Sequence, residues 1–170
     1  EGTSQPNPAT RFHYAVYDAR PDVNCIVHTH PPYISALSML GKPLVISHMD
    51  ATPLYDDVAF LKDWPGVPVA DREGELISEA LGTKRAVLLA HHGMLTTGRT
   101  IEEATVLALM IEHAAAMQIR AESVGEIQPV PAHLAIEARE FLLQPTIMQA
   151  TYRSFADRVL RADPGILERA

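Results

Sequence analysis

Ala86-Val87-Leu88-Leu89-Ala90-His91-His92-Gly93-Met94-Leu95-Thr96-Thr97 is the stretch from which most of the architecture follows. Ala86 to His92 is an apolar run closing in two histidines, and its length and continuity predict a strand buried on both faces. Gly93 breaks the run, because glycine lets the backbone turn sharply. Met94–Thr97 is expected to return as the antiparallel partner.

Downstream, Thr100 and Glu103 form a capping box. Ile101, Ala104, Leu107, Ala108, Ile111, Ala114 and Ala115 then give a continuous apolar face, predicting a helix to about Glu122 that Gly125 ends. Pro129 and Pro131 mark a linker, and two amphipathic helices are expected over Ala132–Leu143 and Ile147–Arg161. Upstream, Glu73–Leu81 reads as a helix ending at Gly82, and Asp50–Pro68, with Trp64-Pro65-Gly66, as a long loop. Leu44–His48 reads as a strand and Tyr33–Leu40 as a short helix closed by Gly41. Cys25-Ile26-Val27 is a β-prone run leading into His28-Thr29-His30, stopped by Pro31-Pro32. Glu1–Pro8 reads as a loop, with Asn7 as N-cap and Pro8 at the first helical position. Phe12, Ala15, Val16 and Ala19 are the stripe of the helix that follows, which ends at Arg20-Pro21-Asp22. Strands alternating with helices, then a helical tail, predict an α/β domain.

At 170 residues and 18.6 kDa the chain is one domain's worth of sequence. Its 47% hydrophobic and 21% charged residues exclude disordered and fibrous classes. No apolar run approaches the ~20 residues of a membrane span, and no N-terminal stretch has a signal-peptide pattern. A net charge of −7 without a basic run speaks against nucleic-acid partners. One cysteine, Cys25, cannot form an internal disulfide, so a cytoplasmic location is expected. The chain starts at Glu1 rather than Met, which predicts processing or a missing N-terminal segment.

Eight histidines are the count that invites chemistry. Composition alone supplies about 0.4 His-x-His pairs, so the motif means little without its placement. On a strand, residues i and i+2 face the same side, so His28 and His30 present both imidazoles together. His92 closes the other apolar strand. If the two strands lie near each other, three neutral nitrogen ligands converge with a position left open, the donor set of a catalytic divalent-metal site. The competing reading is three polar strand-end residues facing solvent.

Arg11-Phe12-His13, Tyr17-x-x-Arg20-Pro21-Asp22-Val23, Val27-His28-Thr29-His30 and Leu88-Leu89-Ala90-His91-His92-Gly93 together resemble the class II aldolase/adducin family, in order and spacing, from about Asn7 to Gly125. The resemblance implies a central, mainly antiparallel β-sheet flanked by helices, over residues 1–128, with 129–170 a C-terminal helical extension of the same domain. It implies a divalent cation, zinc or else manganese, cobalt or iron, held by His28, His30 and His92, with His91 a neighbour. It also implies a lyase of aldolase or decarboxylase type. Such an enzyme works beside a carbonyl on a small hydroxy- or keto-acid or sugar derivative through a metal-stabilised enediolate or enolate, in a homotetramer with its site between subunits.

Two departures qualify this. Family aldolases carry an acid/base glutamate two residues before the Arg-Phe-His, where this chain has Ala9, and alanine cannot move a proton. His48, Asp50 and Glu1 are the candidate substitutes, none in a matched motif, with His48 and Asp50 preferred. The family's N-terminal segment, with its Gly-Asn-x-Ser phosphate-binding loop, is also absent from the sequence. The alternative is a non-catalytic, adducin-like interaction module, favoured by Ala9 and opposed by the intact histidine trio. Arg20 and Asp22 are expected to fix a turn, Met110 and Met117 to fill core, Cys25 to be inert, and His13 to stand behind the metal ligands. Tyr152 falls in no motif. Apolar residues on the late helices, Leu134 and Phe141 among them, predict a homo-oligomer.

Overall fold

The computed structural model describes residues 7, 9–63, 66 and 71–168. Its elements run α1 (Thr10–Ala19), β1 (Cys25–Thr29), α2 (Pro32–Met39), a 3-10 helix (Met49–Leu54), β2 (Val58–Leu61) and α3 (Asp71–Leu81). They continue with β3 (Ala86–Leu89), β4 (Gly93–Gly98), α4 (Ile101–Glu122), α5 (Ala132–Leu142), α6 (Pro145–Ala162) and a last 3-10 turn, Ile166–Glu168.

The strands form one sheet in the order β1-β4-β3-β2. β1–β4 and β4–β3 are antiparallel and β3–β2 parallel, so the sheet is mainly antiparallel as expected. All four residues of β3 are buried, as their apolar run predicts. Alternation sends them to two cores. Val87, Leu89 and, on β4, Leu95 meet Phe12 and Val16 of α1 and Ile77 and Leu81 of α3. Ala86, Leu88 and Met94 meet Ile34 and Leu37 of α2 and Leu107 and Ile111 of α4. The result is helix, sheet, helix, with α5 against the 3-10 helix and α6 against α4.

Local signals act largely as read. Thr100 Oγ1 accepts the Glu103 N–H at 3.2 Å, while Glu103 Oε2 accepts the N–H of Arg99 at 2.8 Å, one residue before the cap. Asn7 Oδ1 accepts the Ala9 N–H at 2.9 Å just ahead of α1, and Pro8 lies outside the described residues. Arg20 binds Asp22 through two hydrogen bonds of 2.7 Å and donates to the carbonyls of Gly82 and Lys84 at 2.6 and 3.0 Å. It thereby joins the end of α1 to the end of α3, a structural role wider than one turn.

Three expectations are corrected. Leu44–His48 pairs with no strand among the described residues: the Val45 N–H donates to Gln118 Oε1 at 2.8 Å, and the Ile46 carbonyl accepts from Val130 N–H at 2.8 Å. The segment read as a loop after Asp50 instead holds the 3-10 helix and β2, whose four residues were too few to show a period. The strand read to His92 stops at Leu89, and Ala90-His91-His92 form the hairpin turn, with the His92 N–H donating to Leu89 O at 3.1 Å. Glu1, Trp64 and Pro65 lie outside the described residues.

Candidate metal centre

Ile26 packs toward the α1/α3 core and Val27 toward the α2/α4 core, so His28, two residues after Ile26, leaves β1 on the α1 side. There its ring meets the Phe12 ring edge-on at 4.8 Å between centroids. His30 follows just past the strand end. His92 does not come from an adjacent strand, because β4 lies between β1 and β3. It arrives on the hairpin turn, which stands at the same end of the sheet because Thr29 pairs with Met94 and Leu89 with Gly93.

The three rings close a triangle, with centroids 4.7 Å apart for His28–His30, 5.0 Å for His28–His92 and 4.6 Å for His30–His92. One nitrogen from each lies within 4.8 Å of the others. His28 and His30 approach Nε2 to Nε2 at 2.9 Å. The opposite nitrogen of His28, Nδ1, is 2.9 Å from the Met94 carbonyl, which only accepts, so Nδ1 carries the proton and Nε2 is left as a lone-pair donor.

Gly93 makes the convergence sterically open. A Cβ there would stand 2.6 Å from both His30 Cδ2 and the Thr29 carbonyl oxygen. His91 pays the conformational cost of the turn with a φ of +58°, and its exposed side chain lies outside the triangle.

Burial and neighbouring rings disfavour the charged form of two of the three imidazoles, His28 and His92. Burial first, then the neighbouring His92 and His30, pull His28 down to a pKa of about 4. Burial and then His30 lower His92. His13, half-buried beside Phe12 with rings 5.0 Å apart, is also lowered by burial and adds to the depression of His28.

A buried carboxylate that motif spacing did not single out stands behind His92. Glu73 of α3 is 6% exposed, and its Oε1 lies 3.9 Å from His92 Nδ1 with no hydrogen-bond partner among the described residues. Burial raises its pKa. Its signal in the sequence was positional: Glu73 precedes the core residues Ile77 and Leu81 by four and eight, on the stripe an amphipathic helix buries.

His48 and Asp50 sit together at the start of the 3-10 helix, about half exposed, with His48 Nδ1 accepting the Asp50 N–H at 3.2 Å. Neither belongs to the histidine triangle. The 3-10 helix runs on to Pro53, whose carbonyl is 3.4 Å from Arg85 Nη2, at the end of β3 opposite the hairpin. Cys25 is half-buried with its thiol pushed up by burial, in keeping with an inert role. Met110 and Tyr152 pack against the α2/α4 core.

Residues 1–119 match the family described as class II aldolase and adducin N-terminal domain. A 5-methylthioribulose-1-phosphate/5-deoxyribulose-1-phosphate aldolase of Rhodospirillum rubrum is 36% identical over 135 residues, 77% of this chain and 59% of the relative. Decarboxylase NovR of Streptomyces niveus is 28% identical over 167 residues, 98% of this chain and 62% of the relative. The structure of L-fuculose 1-phosphate aldolase from Glaciozyma antarctica PI12 superposes with a TM-score of 0.82 at 30% identity, covering 92% of this chain and 59% of that one. The chain thus spans roughly three-fifths of the length of these relatives.

Proposed function

Because the chain belongs to the class II aldolase and adducin N-terminal domain family, we propose that it is a divalent-metal-dependent carbon–carbon lyase acting beside a carbonyl. The observation that carries the reading is the triangle of His28, His30 and His92. The donors suit a borderline-soft cation such as zinc: three imidazole nitrogens, with His28 and His92 held neutral by their depressed pKa values, so that a metal need displace no proton from them at pH 7. A bound ion supplies Lewis-acid stabilisation of the negative charge that develops on the substrate's carbonyl oxygen as the adjacent carbon–carbon bond breaks.

The chain's own residues do the rest. The Met94 carbonyl orients His28, Gly93 leaves room for His30, and the hairpin turn presents His92. Ala9, in the position of the family glutamate, favours decarboxylation, or aldol cleavage with another base, over the usual aldolase chemistry. In this reading His48 or Asp50, which lie outside the histidine triangle, is the candidate proton carrier. The substrate is a small hydroxy- or keto-acid or a sugar derivative. We further propose a cyclic homotetramer in the cytoplasm, with residues 129–170 an extension of the same domain. Exposed apolar side chains, including Tyr14, Met39, Leu40 and Phe141, support the assembly, and the lone Cys25 the location.

The test is metal content by elemental analysis after purification without chelators, beside His28→Ala. The expected result is near one equivalent of a divalent metal per chain, lost in the variant. Hydroxy-acids and sugar phosphates are then screened, with His48→Ala and Asp50→Asn compared in the same assay and expected to lose turnover while keeping metal. Absence of metal in both proteins, even after zinc is added, would sink the lyase reading. It would favour an adducin-like interaction module, to which Ala9 already points.

A further inference from the structure

We propose that Glu73 is the positioning residue of the third histidine: its carboxylate accepts the Nδ1–H of His92 and so turns Nε2 of that ring to the metal position. The inference rests on the metal reading of the triangle. It starts from an anomaly that the fold does not otherwise explain.

A carboxylate is rarely buried without a partner, because leaving water costs several kcal/mol unless hydrogen bonds replace it. Glu73 is buried all the same, in a mainly apolar recess lined by Leu61, Ile77, Leu89 and Ala90 together with the exposed Asp63. Helix geometry does not require it there. A carboxylate in the first turn of α3 favours the helix dipole equally well from an exposed position. Two other polar side chains among the described residues line this recess, Asp63 and His92; a second carboxylate offers Glu73 no donor, whereas the His92 ring does, its Nδ1 standing 3.9 Å from Oε1. That separation is about 1 Å beyond a hydrogen bond, a gap that a small side-chain rotation closes.

The strand histidine His28 supplies the pattern. His28 has its Nδ1 against a pure acceptor, the Met94 carbonyl, and gives Nε2 to the triangle. His92 sits on a turn rather than a strand, so no ladder carbonyl performs that task for it. Glu73 is the acceptor at its Nδ1. A carboxylate in this place fixes the tautomer, holds the ring plane and raises the basicity of the ligating nitrogen. Gly74, next along α3, secures the approach: a Cβ there would lie 2.8 Å from Ala15 Cβ and 3.3 Å from Phe12 Cα, so α3 can lie close on α1 only with glycine at that position.

The experiment compares wild type with Glu73→Leu, which fills the recess without an acceptor, and Glu73→Gln, whose amide oxygen still accepts. Two quantities are measured: zinc affinity by chelator competition, and the His92 tautomer in metal-free protein at pH 7 by long-range 1H–15N correlation. Glu73→Leu is expected to bind zinc about 10- to 100-fold more weakly, with its Nδ1–H tautomer lost, and Glu73→Gln to recover most of both. Zinc bound by wild type and Glu73→Leu with equal affinity and an unchanged tautomer overturns the inference and leaves the metal reading standing. Wild type that binds no zinc overturns the metal reading, and this inference with it. If Glu73→Leu does not fold, Glu73→Gln and the wild-type tautomer decide: a wild-type His92 protonated at Nε2 overturns the proposal.

Discussion

A single hydrogen in place of a methyl group at Gly93 is what lets His30 lie beside the hairpin. The added Cβ would need the Thr29 carbonyl, a backbone group, to retreat from 2.6 Å. Gly93→Ala is therefore expected to destabilise the chain by about 1–3 kcal/mol and to weaken zinc binding at least ~10-fold. Denaturant titration and chelator competition check the two effects separately. His28 gives a pH signature at the same scale. Its folded-state pKa of about 4 lies below the ordinary 6.5, so the unfolded chain takes up the proton first. Stability of the metal-free protein should fall as the pH drops from 6.5 toward 4 and lose no more from this group below that. The slope of unfolding free energy against pH between 5 and 7 should be smaller in His28→Gln than in wild type. The same slope in both would disprove it. The i, i+2 spacing of His28 and His30 was legible because a strand's period is local. Glu73 was not, because its partner lies 19 positions away and only the packing of α3 brings the two together.

Elements divide on the same ground. α4 was readable nearly to the residue, since its cap and its stripe act within the helix. Leu44–His48 and Val58–Leu61 were exchanged in the reading: the more β-prone run makes no ladder, and the shorter one does. Strand formation depends on a free neighbouring edge, which neither sequence carries in itself. β2 finds one on β3, where Asp57 secures the start: its carboxylate accepts the Arg85 N–H at 2.9 Å and its carbonyl that of Ala86 at 3.1 Å. Residues 43–45 meet α4 instead, and the buried Gln118 replaces a ladder. It accepts from Val45 N–H at 2.8 Å and donates to the Pro43 carbonyl at 3.2 Å. Gln118→Ala should cost about 1–3 kcal/mol by leaving those groups unpaired. Hydrogen exchange at Val45 should rise while zinc affinity holds; an unprotected Val45 amide in wild type would contradict this account.

Across the whole molecule, the two ends of the sheet carry different chemistry. At the hairpin end stand three imidazoles, of which His28 and His92 are pushed toward the neutral form by burial. At the other, Arg85 bridges Asp57 and Glu103, and Arg139 of α5 reaches Asp57 at 3.3 Å. That ionic cluster ties α5 to the sheet through Asp57, whose side chain is 7% exposed. The sequence by itself determined the class of fold, the buried central strand, the helices and the identity of the three histidines, because each is written in short-range periodicity or in an ordered set of motifs. Only the tertiary structure decided that His92 comes from a turn across β4, that β2 exists, and that Glu73 stands behind the third imidazole. Those facts depend on ladder register and helix packing between residues far apart in the chain, and they exist only once the sheet has closed between its two layers of helices.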